Sequence, residues 1–86
     1  MKSLRIAIQM DPIETMVVQR DTSLALMIEA QNRGHEIWWF TPNDVFFDAG
    51  VVKARAHRAS VSLNEAKHYE NHATAVRALD DFDVIL

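Results

Sequence analysis

An open α/β sheet built on a parallel βαβ unit and interrupted by a β-hairpin is the fold that this 86-residue sequence predicts. Three observations predict it. Two short apolar runs, Leu4–Met10 and His35–Thr41, are separated by one helical segment, and a strand, helix, strand order makes a parallel crossover that needs cover on both faces. Two further β-favouring runs flank a turn at Ala49-Gly50. Another apolar run, Phe82–Leu86, closes the chain.

The first strand reads Leu-Arg-Ile-Ala-Ile-Gln-Met and stops at Asp11-Pro12, where proline removes a ladder donor. Met16-Val17-Val18 is apolar but falls in the loop that follows. Asp21, Thr22 and Ser23 supply capping side chains ahead of Leu24, Met27 and Ile28, so a helix runs from Thr22 to Arg33. Gly34 ends it by adopting a positive φ. Ile37-Trp38-Trp39-Phe40 forms the second strand, ended by Pro42-Asn43-Asp44. Val45–Asp48 and Val51–Leu63 are expected to pair as a hairpin. From Asn64 to Leu79, Ala66, Tyr69, Ala73 and Val76 recur three or four apart and predict a second helix. Phe82–Leu86 is expected to be a third parallel strand beside the first, with the chain ending inside it.

Length and charge limit the function classes. A chain of 9.8 kDa has room for one small domain. Nine Lys and Arg against twelve Asp and Glu give a net charge of −3, which argues against general nucleic-acid binding. The absence of cysteine removes disulfides and thiolate chemistry. No apolar run approaches the roughly 20 residues that span a bilayer, and the first ten residues are too short and polar for a signal peptide, so a cytoplasmic location without membrane partners is expected.

Three constellations carry chemistry, each with two readings. Asp11 stands directly after the first strand, and Asp21, Thr22 and Ser23 lie at the helix mouth, where unpaired N–H groups could hold a carboxylate while Asp11 holds an amine. The same residues could merely open a turn and cap a helix. No Gly-rich loop accompanies them, so a dinucleotide or P-loop site is not supported. Lys53, Arg55 and His57 alternate with Ala54 and Ala56, which places the three basic groups on one strand face with Arg58 opposite, either to meet an anion or as a solvated edge. Glu65, His68 and His72 would share a face of the second helix and could bracket zinc, but no fourth ligand is evident and the metal-free reading is preferred. Trp38, Trp39, Phe40, Phe46 and Phe47 are expected in the core or at a protein contact, rather than stacking on bases.

Met10-Asp11-Pro12-Ile13, the Arg20-Asp21-Thr22-Ser23 helix opening, Glu29-Ala30-Gln31-Asn32-Arg33-Gly34, Ala54-Arg55-Ala56-His57 and Asp83-Val84-Ile85-Leu86 together resemble the amino-terminal domain of bacterial glutathione synthetases. The resemblance covers nearly the whole chain, with departures between Val45 and Lys53 and between Asn64 and Asp80. It implies a Rossmann-like pre-ATP-grasp domain, residues 1–86, incomplete at its last strand and without the ATP-grasp domains. It further implies a ligase joining γ-glutamylcysteine to glycine through an acyl phosphate, with ATP and Mg²⁺ held in later domains, no cofactor in this chain and a homo-oligomeric assembly. By resemblance, Asp11, Arg20, Asp21, Ser23 and Arg55 are the substrate-side residues, and the chain alone is expected to be inactive. The competing function class is a stand-alone α/β interaction or small-ligand-binding module, which a natural stop codon after Leu86 would favour. Elemental analysis of chain purified without a His-tag is expected to find no stoichiometric zinc, and removal of both His68 and His72 to leave stability nearly unchanged; one zinc per chain would overturn the metal-free reading.

Overall fold

Three consecutive apolar residues, Ile6, Ala7 and Ile8, are buried because the strand that carries them has a neighbour on each edge and side chains on each face. In the computed structural model, which describes residues 3–15, 22–64 and 66–86, that strand is β1 (Arg5–Gln9). It pairs in parallel with β2 (Glu36–Phe40) from Arg5↔Glu36 to Gln9↔Phe40, and with β6 (Val84–Ile85) through Ile6↔Val84 and Ala7↔Ile85. Asp83 sets the second register: its N–H donates to Arg5 O at 2.8 Å and its Oδ2 accepts from Arg5 N at 2.8 Å. The parallel arrangement expected of the first, second and last strands therefore holds.

The single α-helix among the described residues, α1 (Thr22–Asn32), covers one face of this sheet. Leu24 and Met27, both fully buried, meet Ile6, Ile8, Ile37 and Trp39. The helix ends in a Schellman motif, with His35 N–H donating to Ala30 O at 3.1 Å and Gly34 N–H to Gln31 O at 2.9 Å. Gly34 takes φ +86° to make that closure. Just before it, the Gln31 side chain behaves like a length of strand: its Nε2 donates to Val61 O at 2.9 Å and its Oε1 accepts from Val61 N at 2.8 Å.

The hairpin forms as expected from β3 (Val45–Asp48) and β4 (Val51–Val61), with Asp48 opposite Val51. Ala49 and Gly50 both have positive φ, at 50° and 82°, the requirement of a type I′ turn. The second helix does not form. Residues Tyr69–Ala78 are instead β5, paired antiparallel with β4 from Lys53↔Ala78 to Val61↔Tyr69. A bulge leaves His72 unpaired between Asn71, opposite Ala59, and Ala73, opposite Arg58. The apolar spacing of three and four thus belongs to a bulged strand whose faces exchange parity at His72.

Lys53 and Ala54 pair with β3 and β5 at once, and His57 and Arg58 with β2 and β5 at once. So β5 occupies one edge of β4, while β3 and β2 share the other end to end. This corrects the solvated-edge reading, because β4 lies inside the sheet and its basic residues project from a face. On the face opposite α1, Ala54 and Ala56 are completely buried with Trp38, Phe40, Ala7 and Phe82. The Trp38 and Phe82 rings meet edge to face at 5.9 Å. Trp38, Trp39 and Phe40 are core as expected, but Phe46 and Phe47 are 41% and 72% exposed on the hairpin.

The loss of the second helix also separates the two histidines. His68 is buried and its Nε2–H donates to Ile13 O at 2.7 Å, whereas exposed His72 shares a 2.8 Å hydrogen bond with Ser60 Oγ. Glu65 lies outside the described residues. The expectation that both histidines can be removed at no cost therefore fails for His68: His68→Ala is expected to lose about 1–3 kcal/mol in urea unfolding, and His72→Ala less than about 0.5 kcal/mol. At the turns, nothing stands within 4 Å of a Cβ added at Gly34, so Gly34→Ala is expected to cost only its φ strain, about 1 kcal/mol. Ala49→Gly removes the corresponding strain and is expected to raise the unfolding midpoint.

Candidate functional site

Asp11 follows the carboxyl end of β1 and is exposed. The end of that strand is held between its neighbours, since Met10 N–H donates to Phe40 O at 3.0 Å and Gln9 N–H to Leu86 O at 3.1 Å. The spatial order is β2-β1-β6, so the chain leaves β1 to one side and later returns on the other. Open α/β sheets hold ligands at the carboxyl ends of their strands where the strand order reverses in this way, and Asp11 follows β1 at that end.

Helix geometry brings the start of α1 to the same edge. Eleven helical residues at 1.5 Å each and five strand residues at 3.3 Å each both measure about 16 Å, so a helix returning from β1 to β2 begins level with the carboxyl end of β1. Ser23 lies in that first turn and is half-buried. Arg20 and Asp21 fall outside the described residues.

Arg55 reaches this edge from β4. Trp39 pairs with His57, and β4 runs antiparallel to β2, so Arg55 lies two residues further along, level with the end of β2. It is exposed, on the sheet face that α1 packs against. The structure thus brings Asp11, Ser23 and Arg55 to one edge of the sheet; no hydrogen bond or ion pair joins Asp11 to Arg55 among the described residues.

The other basic groups on the Arg55 face have partners. Lys53 Nζ is 3.0 Å from Asp48 Oδ2. The His57 ring stacks on Trp39 with centroids 4.4 Å apart, its Nδ1 shares a 2.9 Å hydrogen bond with Thr74 Oγ1, and its Nε2 is 4.0 Å from Asp44 Oδ2. Asp44 is itself fixed, accepting from Thr41 N at 2.9 Å and Thr41 Oγ1 at 3.0 Å. Arg55 makes no ion pair among the described residues, which leaves it the cation available to an added anion.

Asp44, Thr41 and Thr74 are the residues around this edge that sequence reasoning did not single out. Thr41-Pro42-Asn43-Asp44 carries a capping-box pattern that could have identified the first two. Thr74 had no such signal, because its pairing with His57 exists only once residues 69–78 are a strand.

Comparison with known proteins agrees with this architecture. The family model described as the N-terminal domain of prokaryotic glutathione synthetase matches residues 4–86. Glutathione synthetase of Brucella melitensis is 40% identical over 84 residues, covering 98% of this chain and 27% of the relative. Glutathione synthetase of Pseudomonas syringae pv. tomato is 39% identical over 84 residues, with 98% and 26% covered, and that of Salmonella typhimurium is 37% identical over 83 residues, with 96% and 26% covered. The chain spans about a quarter of the length of the curated relatives it matches. With a mixed α/β sheet of Rossmann-like build and a family match over residues 4–86, this chain belongs to the family of prokaryotic glutathione synthetase N-terminal domains.

Proposed function

We propose that the chain is the substrate-side domain of an ATP-dependent ligase that joins γ-glutamylcysteine to glycine. In that reaction the dipeptide carboxylate takes the γ-phosphoryl group of ATP, leaving ADP, and the glycine amine then displaces phosphate from the acyl phosphate to form the amide. The observation that carries this reading is the position of Asp11 at the strand-order reversal, with α1 and Arg55 reaching the same edge.

The roles follow from charge. Asp11 suits a substrate ammonium, and Arg55 suits a carboxylate through paired N–H donors. Ser23, with Arg20 and Asp21, is assigned to the helix mouth, where backbone N–H groups favour an anion. Both glycines are used at turns, Gly34 at the end of α1 and Gly50 in the hairpin, and no three His, Asp or Glu among the described residues converge on a common point. These residues do not suit Mg-ATP, so no step involving nucleotide or metal is assigned to them; that chemistry falls to the part of the relatives beyond the matched quarter.

A second reading, an interaction module in its own right, draws on the 72% exposure of Phe47 at the hairpin. Kinetics separate the two. In a ligase carrying this domain, Asp11→Ala and Arg55→Ala are each expected to raise the KM for γ-glutamylcysteine, the Arg55 change by roughly 1.5–3 kcal/mol per lost charge-assisted bond, with the KM for ATP unchanged. Wild-type constants for both variants would remove these residues from the substrate site, and a parallel loss of ATP binding would indicate structural damage instead.

A further inference from the structure

His68 is the one polar or charged residue that is buried among those described, and the substrate-side roles assigned above do not use it. The Tyr69 ring packs edge-on against it with centroids 4.9 Å apart, and Tyr69 itself lies on the cluster around Ile13 and Val61. An apolar side chain would fill that place without the cost of burying a ring nitrogen that needs a partner. What a donor adds is a bond to Ile13 O, which Nε2–H reaches at 2.7 Å across 55 residues of sequence.

That carbonyl belongs to the turn that follows Asp11. On the near side of Asp11, Met10 N–H donates to Phe40 O at 3.0 Å and fastens the end of β1 to β2. On the far side, the 3₁₀ turn Ile13–Thr15 closes on Pro12 O, which accepts from Thr15 N at 2.9 Å and from Thr15 Oγ1 at 2.6 Å. These two bonds shape the turn but do not tie it to the rest of the fold. Among the described residues, the hydrogen bond that does so comes from His68, and the fully buried Ile13 side chain adds a second pin on the same residue. A buried side chain fixes a position, whereas a bond to the carbonyl also fixes the rotation of the peptide plane. With the φ of Pro12 restricted by its ring, the backbone of Asp11 is held between the end of β1 and these two pins. His68 is itself held: its carbonyl accepts from Ser62 N at 2.8 Å, and Ser62 Oγ donates to Lys67 O at 3.1 Å, which closes the connection from β4 to β5 at its base.

We propose that His68 is a positioning residue for the ligation, setting through Ile13 O the place from which Asp11 meets the substrate ammonium. The inference rests on the reading of Asp11 given above. It makes the β4–β5 connection, remote in sequence, the support of a binding group whose use depends on being held in place before the substrate arrives.

Side-chain length supplies the test, because the amide nitrogen of glutamine stands near the place of Nε2 whereas that of asparagine ends short of it. In a ligase carrying this domain, His68→Asn is expected to raise the KM for γ-glutamylcysteine roughly threefold to tenfold, the worth of one hydrogen bond, with the KM for ATP unchanged. His68→Gln is expected to bring that KM back to within about twofold of the wild type. In an Asp11→Ala background, His68→Asn is expected to leave the KM where Asp11→Ala alone sets it, because the positioned group is gone. A histidine that only stabilised the fold would lower the melting temperature without this dependence on Asp11. Equal rises in KM with and without Asp11, a folded His68→Gln variant whose KM stays roughly tenfold high, or a folded His68→Asn variant with wild-type KM where Asp11→Ala raises it, would each overturn the proposal. Absence of any effect from Asp11→Ala would overturn the reading of the site itself, and this inference with it.

Discussion

A parallel strand in the middle of a sheet must be covered on both faces, and this chain has one helix among its described residues to do it. That shortage shapes the rest of the molecule. α1 covers the face of Ile6 and Ile8, while the face of Ala7 is covered by Phe82, delivered by the turn ahead of β6, and by Trp38 and Phe40 packed over β4. The alanines of β4 follow from this arrangement. At Ala54 and Ala56 a larger side chain would hold the aromatic groups away from the sheet, and overpacking of that kind typically costs about 1–3 kcal/mol.

The same strand links architecture to the candidate site. Because β4 is bonded along both edges, its outward side chains are held at a fixed height relative to the ends of β1 and β2. Lys53 is matched by Asp48 and His57 is enclosed by Trp39, Asp44 and Thr74, so among the described residues each basic group on that face except Arg55 has a partner. A guanidinium carried by a doubly paired strand loses less freedom on binding than one carried by a loop, which favours its use as a rigid recognition element.

How much of this was legible in the sequence depended on whether each segment's pattern was local. The βαβ unit was readable because the runs around Ile6–Ile8 and Ile37–Phe40 are buried on both faces and therefore nearly continuous, with Gly34 marking the end of the helix between them. The hairpin was readable from Ala49-Gly50. β5 was not, because the unpaired His72 interrupts period two, and the alanines at 66, 73, 75 and 78 favour helix in isolation. Its strand state comes from β4, a tertiary partner. Asp11 could be placed from the end of the first run alone, whereas the surroundings of His57 come from four separate segments and required the fold.

Gln31 joins regions that are 30 residues apart in sequence, answering both main-chain groups of Val61 from the last turn of α1. The helix terminus and the far end of β4 therefore share a rung of main-chain-like bonding and are expected to open as one cooperative unit. Native-state hydrogen exchange would register the amides of that turn and of Val61 at a common opening free energy, although one belongs to a helix and the other to a strand. Such a rung can close only after β4 has reached the helix, so it stabilises the completed native state and slows unfolding more than it speeds folding.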